Sequence, residues 1–157
     1  MSRENQTIGS TGENIVCAYL EENGYKIIER NYANFFGELD IIAKSPDKTL
    51  VFFEVKSSVC SFCLPQFSLE TYPHFSSAYV DKLGKVRQCS AISHRENLLP
   101  PEIRLNKKKV EKIQKIGSWY ANKNSSLVAD SGYRFDGVGV LFHKDCCSFL
   151  FYKNIVV

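Results

Sequence analysis

The sequence predicts an α/β domain in which a mixed sheet of about five strands is flanked by helices, in the order α-β-β-β-α-β-β. Three observations carry this reading. Two segments, Glu13–Glu22 and Leu105–Asn122, repeat apolar residues at helical spacing. Two β-type apolar runs, roughly 37–44 and 49–57, flank the polar stretch Ser45-Pro46-Asp47-Lys48-Thr49 as in a hairpin. A second pair of strand patterns follows the second helix.

The first helix is introduced by Gly9 to Gly12, carries Val16, Cys17 and Leu20 on its apolar side and stops at Asn23-Gly24, a C-cap signature. Glu13 precedes those residues by three, four and seven positions and so shares their face. A carboxylate there is either placed for chemistry or merely favoured in the first turn by the helix dipole. Tyr25 to Tyr32 is the first strand. In the hairpin, Pro46 presets φ and Asp47 caps the turn. Symmetry about Asp47 sets Asp40 opposite Glu54 and Glu38 opposite Lys56. The two-residue period of strands then points all four from one face.

Three acids and an amine among Ile, Phe and Val are costly without a task. They suit a divalent-cation site for hydrolysis, with oxygen ligands for a hard metal and an ammonium for developing charge. Taken alone they suit a sheet face carrying a Glu38–Lys56 salt bridge equally well.

Residues 58–104 mix Ser, aromatics and cysteines without sustained periodicity, and Pro65, Pro73, Pro100 and Pro101 interrupt them. A short helix is expected at Ala78 to Ser93. So long an irregular stretch in a small domain is more often functional or mobile. In the second helix Leu105, Ile113, Ile116 and Tyr120 form one stripe, with Lys109 at its edge. Lys107, Lys108, Lys112 and Lys115 make the helix basic, as a solvated face or for phosphate contacts. After a turn at Asp130 to Gly132, Tyr133 to Phe142 reads as a strand, with a turn at His143 to Cys147 and a partner strand at Ser148 to Val157.

Composition bounds the rest. A chain of 157 residues with 44% hydrophobic and 13% aromatic content fits one globular domain, 1–157, with an insert at about 58–104. No apolar run approaches the roughly 20 residues that span a bilayer, so no membrane partner is expected. The amino-terminal residues lack the pattern of a signal peptide, which places the protein in the cytoplasm. A net charge of +3 and a pI near 8.5 are compatible with nucleic acid. The six cysteines are read as thiols. Cys60-x-x-Cys63 with His74, Cys89 and His94 lacks the second half of a zinc motif. No Walker A, G-x-G-x-x-G or G-x-S-x-G motif occurs.

Glu13, Gly24-Tyr25, Arg30-Asn31, Gly37-Glu38-Leu39-Asp40, Glu54-Val55-Lys56 and Arg134-Phe135-Asp136, in this order and spacing, resemble the YraN-like family of uncharacterised bacterial proteins. That family is similar to archaeal Holliday-junction resolvases of the PD-(D/E)XK nuclease superfamily. The likeness covers roughly residues 9–57 and 105–142. It implies a restriction-endonuclease-like core. It also implies that Asp40 and Glu54 bind Mg²⁺ (or Mn²⁺), with the Val55 carbonyl and Glu13 contributing, and that Lys56 is the catalytic lysine. Lys109 matches a basic residue near the site, and Lys108 and Lys112 would extend a nucleic-acid contact. Glu38, Arg134 and Asp136 are read as supporting residues. Relatives join the lysine to the second helix by a short loop, whereas here Ser57 to Arg104 intervene.

The function expected first is a metal-dependent endodeoxyribonuclease acting on branched or repair-intermediate DNA. A non-catalytic nucleic-acid-binding protein with the same fold comes second. An interaction protein docking a partner through 58–104 comes third. The resemblance to junction resolvases, which commonly act as dimers on a two-fold symmetric substrate, makes a homodimer plausible, on that resemblance alone.

Overall fold

The protein is described here by a computed structural model covering residues 3–59, 78–80, 86–88, 107–128, 132–142 and 147–155. The expected order is observed, with one small addition. Helix α1 (Arg3–Glu22) precedes strands β1 (Lys26–Asn34), β2 (Gly37–Lys44) and β3 (Leu50–Val59). A short hairpin of β4 (Ala78–Val80) and β5 (Val86–Gln88) follows, then α2 (Lys107–Lys123), β6 (Tyr133–Phe142) and β7 (Cys147–Tyr152). The main sheet has five strands in the order β1-β2-β3-β6-β7, with β3 and β6 parallel and every other pair antiparallel. No helix of the described residues is long and apolar enough to cross a membrane.

Central strand β3 is buried without interruption from Leu50 to Val55, as a strand covered on both faces requires. On one face Val16, Leu20 and Cys17 of α1 pack on Ile41, Ala43, Val51 and Phe53. On the other, Ile113, Ile116 and Tyr120 of α2 pack on Ile42, Leu50, Phe52 and Phe135. Alternate residues of one strand thus enter two separate cores. The β2–β3 turn closes as expected: Ser45 N–H donates to Thr49 O at 3.0 Å, and Thr49 N–H donates to the Asp47 carboxylate at 3.1 Å. Gly24, at a φ of +79°, ends α1 at the expected C-cap.

Two expectations fail. Helix α1 starts at Arg3 rather than Glu13, running through Gly9 and Gly12. Glycine costs a helix about 1 kcal/mol, which packing against the sheet offsets. The helix expected at Ala78 to Ser93 is absent at 78–80 and 86–88, which are strands, with Tyr79 paired to Arg87 and Val80 to Val86. Their β-branched and aromatic residues favour the extended form. Cys60, Cys63, His74, Cys89 and His94, the bulk of the insert and the turn at 143–146 lie outside the described residues.

Candidate functional site

The site forms where β2 and β3 leave their shared ladder. Their register runs from Lys44↔Leu50 to Ile41↔Phe53, the register that symmetry about Asp47 demands. One position further on, the side chain of Asp40 takes over from the backbone: Val55 N–H donates to Asp40 Oδ2 at 2.6 Å. Asp40 and Glu54 therefore face each other, and their like charges interact.

Glu54 is 1% exposed in a strand otherwise filled by Leu, Val and Phe. Its Oε1 lies 2.9 Å from Lys109 Nζ of α2 and 3.2 Å from Lys56 Nζ. These two ammoniums offset much of the cost of burying a carboxylate. Oε2 is buried with no hydrogen-bond partner among the described residues. An orphaned buried acceptor costs on the order of 1–3 kcal/mol, more when charged. The ion pair of Lys56 joins it to Glu54 on its own strand, not to Glu38 as the salt-bridge reading required, because Glu38 is exposed while Glu54 is buried beside it.

Both helices reach this spot, from opposite faces. Lys109 comes from α2. Glu13 comes from α1, near enough to Glu54 and Glu38 to feel their charge. Gly12 lets α1 lie close to β3: a Cβ there would lie 1.8 Å from Ser57 Oγ and 3.0 Å from Ser57 Cβ, so a larger residue would require Ser57 to shift. Arg30 holds α1 through Asn14 Oδ1 at 2.6 Å, and Asn31 hydrogen-bonds Glu13. Asn31 has a φ of +51° between the pairs Arg30↔Ile41 and Tyr32↔Leu39, which places it across from Asp40. Asparagine tolerates that backbone as few residues do. Neither Arg30 nor Asn31 is among the candidate site residues, although Arg30-Asn31 is one of the motifs that carry the family resemblance and an asparagine inside a strand pattern is itself a signal.

The electrostatics follow from this crowding. Burial and then the neighbouring Glu54 push Asp40 up to about 7, against the Val55 N–H and Lys109. Burial also raises Glu13, held back by Arg30 and Asn31, with Glu38 and Glu54 adding to the rise. Among the described residues no three His, Cys, Asp or Glu side chains form a ready metal cage. That does not disqualify the pair, since Mg²⁺ is commonly held by one or two carboxylates and keeps several waters. The orphaned Glu54 Oε2 beside Asp40 fits such an ion.

The remaining candidates sit elsewhere. Lys108 and Lys112 are exposed on α2, the stem of Lys112 lying over Gly37. Arg134 Nε donates to both Asp136 oxygens, at 3.2 and 3.0 Å, and Asp136 also accepts from Asn154 N–H at 2.9 Å. Arg134 Nη2 reaches Tyr25 OH at 3.3 Å. This network ties β6 to the start of β1 and to the carboxy-terminal segment, a supporting arrangement.

A family model described as "Uncharacterised protein family UPF0102" matches residues 12–71, a span that holds Glu13, Asp40, Glu54 and Lys56. A UPF0102 protein of Geobacter metallireducens is 39% identical over 94 residues, covering 58% of this chain and 76% of that protein. One of Syntrophus aciditrophicus is 49% identical over 67 residues, covering 42% and 52%. Another, of Desulforamulus reducens, is 46% identical over 70 residues, covering 44% and 57%. With that identity over three-quarters of the first relative, the chain belongs to the UPF0102 family.

Proposed function

We propose that the protein is a metal-dependent endonuclease hydrolysing phosphodiester bonds in branched or repair-intermediate DNA. The observation that carries this reading is Glu54 Oε2, a buried carboxylate oxygen with no hydrogen-bond partner among the described residues, beside a second, half-buried acid, Asp40. Asp40 and Glu54, with the Val55 carbonyl and Glu13, would hold Mg²⁺ or Mn²⁺. When bound, such an ion polarises a phosphoryl oxygen and lowers the pKa of a water.

The chain's own residues supply the rest. Asp40 is oriented by the Val55 N–H. Lys56, with its side chain 39% exposed, can swing from Glu54 to the scissile phosphate and stabilise charge as it develops. Water oxygen bonds to phosphorus as the bond to the leaving sugar oxygen breaks, and that oxygen takes up a proton. Calorimetric titration of Mg²⁺ should show one site in the wild type and at least tenfold weaker binding in Asp40→Ala. Cleavage of branched, duplex and single-stranded DNA by wild type but not Asp40→Ala completes the test. Equal Mg²⁺ binding and equal cleavage by the two proteins would refute the reading.

One observation favours a second reading. Lys56 and Lys109 both pair with Glu54, so the site approaches charge balance without a cation, as a DNA-binding module would need. Salt-dependent DNA binding unchanged by Asp40→Ala or Glu54→Ala, with no turnover, would favour it.

A further inference from the structure

Helix α2 carries a second pattern beside its buried stripe. Lys108, Lys112, Lys115, Trp119 and Lys123 are spaced by four, three, four and four residues, which keeps them on one side of the helix. All four lysines are exposed. The β1–β2 turn brings two phenylalanines to the same side. Phe35 and Phe36 have ring centroids 4.1 Å apart, and Phe35 meets Trp119 edge-to-face at 5.9 Å. Lys123 Nζ sits 5.0 Å from the centre of the Trp119 ring. A shallow groove of about 480 Å³ lies beside Phe36 and Trp119, lined by Gln114, Lys115 and Asn122, with Glu111 as its acid.

These aromatics are not explained by folding. Phe35 is 76% exposed and Phe36 39%. They fill a two-residue hairpin turn, where Asn and Gly are the usual choice. The turn tolerates them because Gly37 takes the positive φ, +137°, and Asn34 Oδ1 accepts from Phe36 N–H at 2.8 Å. Lys112 lies directly over Gly37, joining the lysine row to the aromatic turn. Lysine is depleted in protein–protein interfaces, whereas interleaved lysines and exposed aromatics match the needs of a nucleic-acid strand. Ammoniums track its phosphates, and rings stack its bases regardless of sequence.

We propose that Phe35, Phe36 and Trp119 are a stacking platform for an unpaired base of a DNA strand whose phosphates run along Lys112, Lys115 and Lys123. The proposal rests on DNA being the substrate and sharpens its class: DNA with unpaired bases near the cleavage point. Trp119 lies ten residues beyond Lys109 on α2, about 15 Å along the axis.

Trp119 is the single tryptophan of the chain, so its emission reports on the platform alone. In metal-free buffer with EDTA, a duplex with a single-stranded gap should quench that emission, and a blunt duplex of equal length should not. Phe35→Ala, an exposed position, should weaken gapped-DNA binding about 5- to 100-fold at fixed salt and change blunt-duplex binding little. Lys115→Ala should weaken both and reduce the salt slope by about one. Absence of gapped-DNA binding, or equal effects of Phe35→Ala on both DNAs, overturns the proposal. So does an emission change that follows protein concentration without DNA, which would mark a contact between copies of the chain. Because binding is read without metal, failure of the nuclease reading shows separately. Quenching without Mg²⁺-dependent cleavage keeps the platform and discards the enzyme, while cleavage with no preference for unpaired bases does the reverse.

Discussion

Lys109 Nζ lies 2.9 Å from Glu54 Oε1, so a helix on one face of the sheet is tied to its central strand through a carboxylate 1% exposed to water. The contact supports the fold and charges the site at once. Burying the Glu54 carboxylate as an anion is costly without ammoniums, and α2 supplies one of the two.

Lys109→Met should therefore destabilise the protein by about 1–3 kcal/mol, less than full loss of a buried pair because Lys56 still contacts Glu54. Adding Glu54→Gln should restore part of that loss. A double-mutant cycle in urea checks this. Strict additivity of the two changes would show that the ion pair contributes nothing.

Stability should depend on pH through Asp40, whose pKa is raised to about 7 by burial and by Glu54. The folded state binds this proton more tightly than the unfolded chain, where the value is about 4. The contribution is complete below that lower value and is lost as pH rises through about 7. Asp40→Asn cannot ionise, and its amide oxygen can still accept from Val55 N–H. Relative to wild type it should gain on the order of 1–3 kcal/mol between about pH 5 and pH 8. Parallel pH curves for the two proteins would contradict this.

Mg²⁺ at a hundred times its dissociation constant should stabilise the wild type by about 2.7 kcal/mol. Glu54→Gln, which keeps the shape but loses the charge, should abolish the effect. Thermal melts with Mg²⁺ and with Na⁺ at equal ionic strength separate specific binding from screening. An undiminished shift in Glu54→Gln would rule out Glu54 as a ligand.

Gly117→Ala should destabilise the protein although alanine is the better helix former by about 1 kcal/mol. A Cβ at Gly117 would lie 2.4 Å from Phe135 Cε1 and 2.9 Å from Phe52 Cδ2, rings that stack at 5.2 Å. Overpacking of this kind costs roughly 1–3 kcal/mol. A rise in the urea midpoint would show that the two rings move aside freely.

Local patterning sufficed for the helices and the five main strands, because helical and two-residue periods are written into neighbouring residues. The turn residues Ser45 to Thr49 sufficed for the hairpin register, and so for setting Asp40 against Glu54. Patterning misled where a residue's task lay elsewhere in the chain. Gly12 reads as a break before the helix, yet it is the point where α1 meets Ser57 of β3. Ala78 to Ser93 reads as helix, yet pairing between Ala78–Val80 and Val86–Gln88 decides otherwise.

Within the site, the carboxylates and Lys56 are legible because charge inside an apolar run stands out. Which ammonium meets which oxygen is not legible. Lys56 turns to Glu54 rather than to Glu38, Lys109 arrives from a helix more than fifty residues away in sequence, and Asn31 steadies Glu13 from an unusual backbone conformation. Those choices depend on which oxygens are buried and which are wet, and burial exists only once both helices have packed against the sheet.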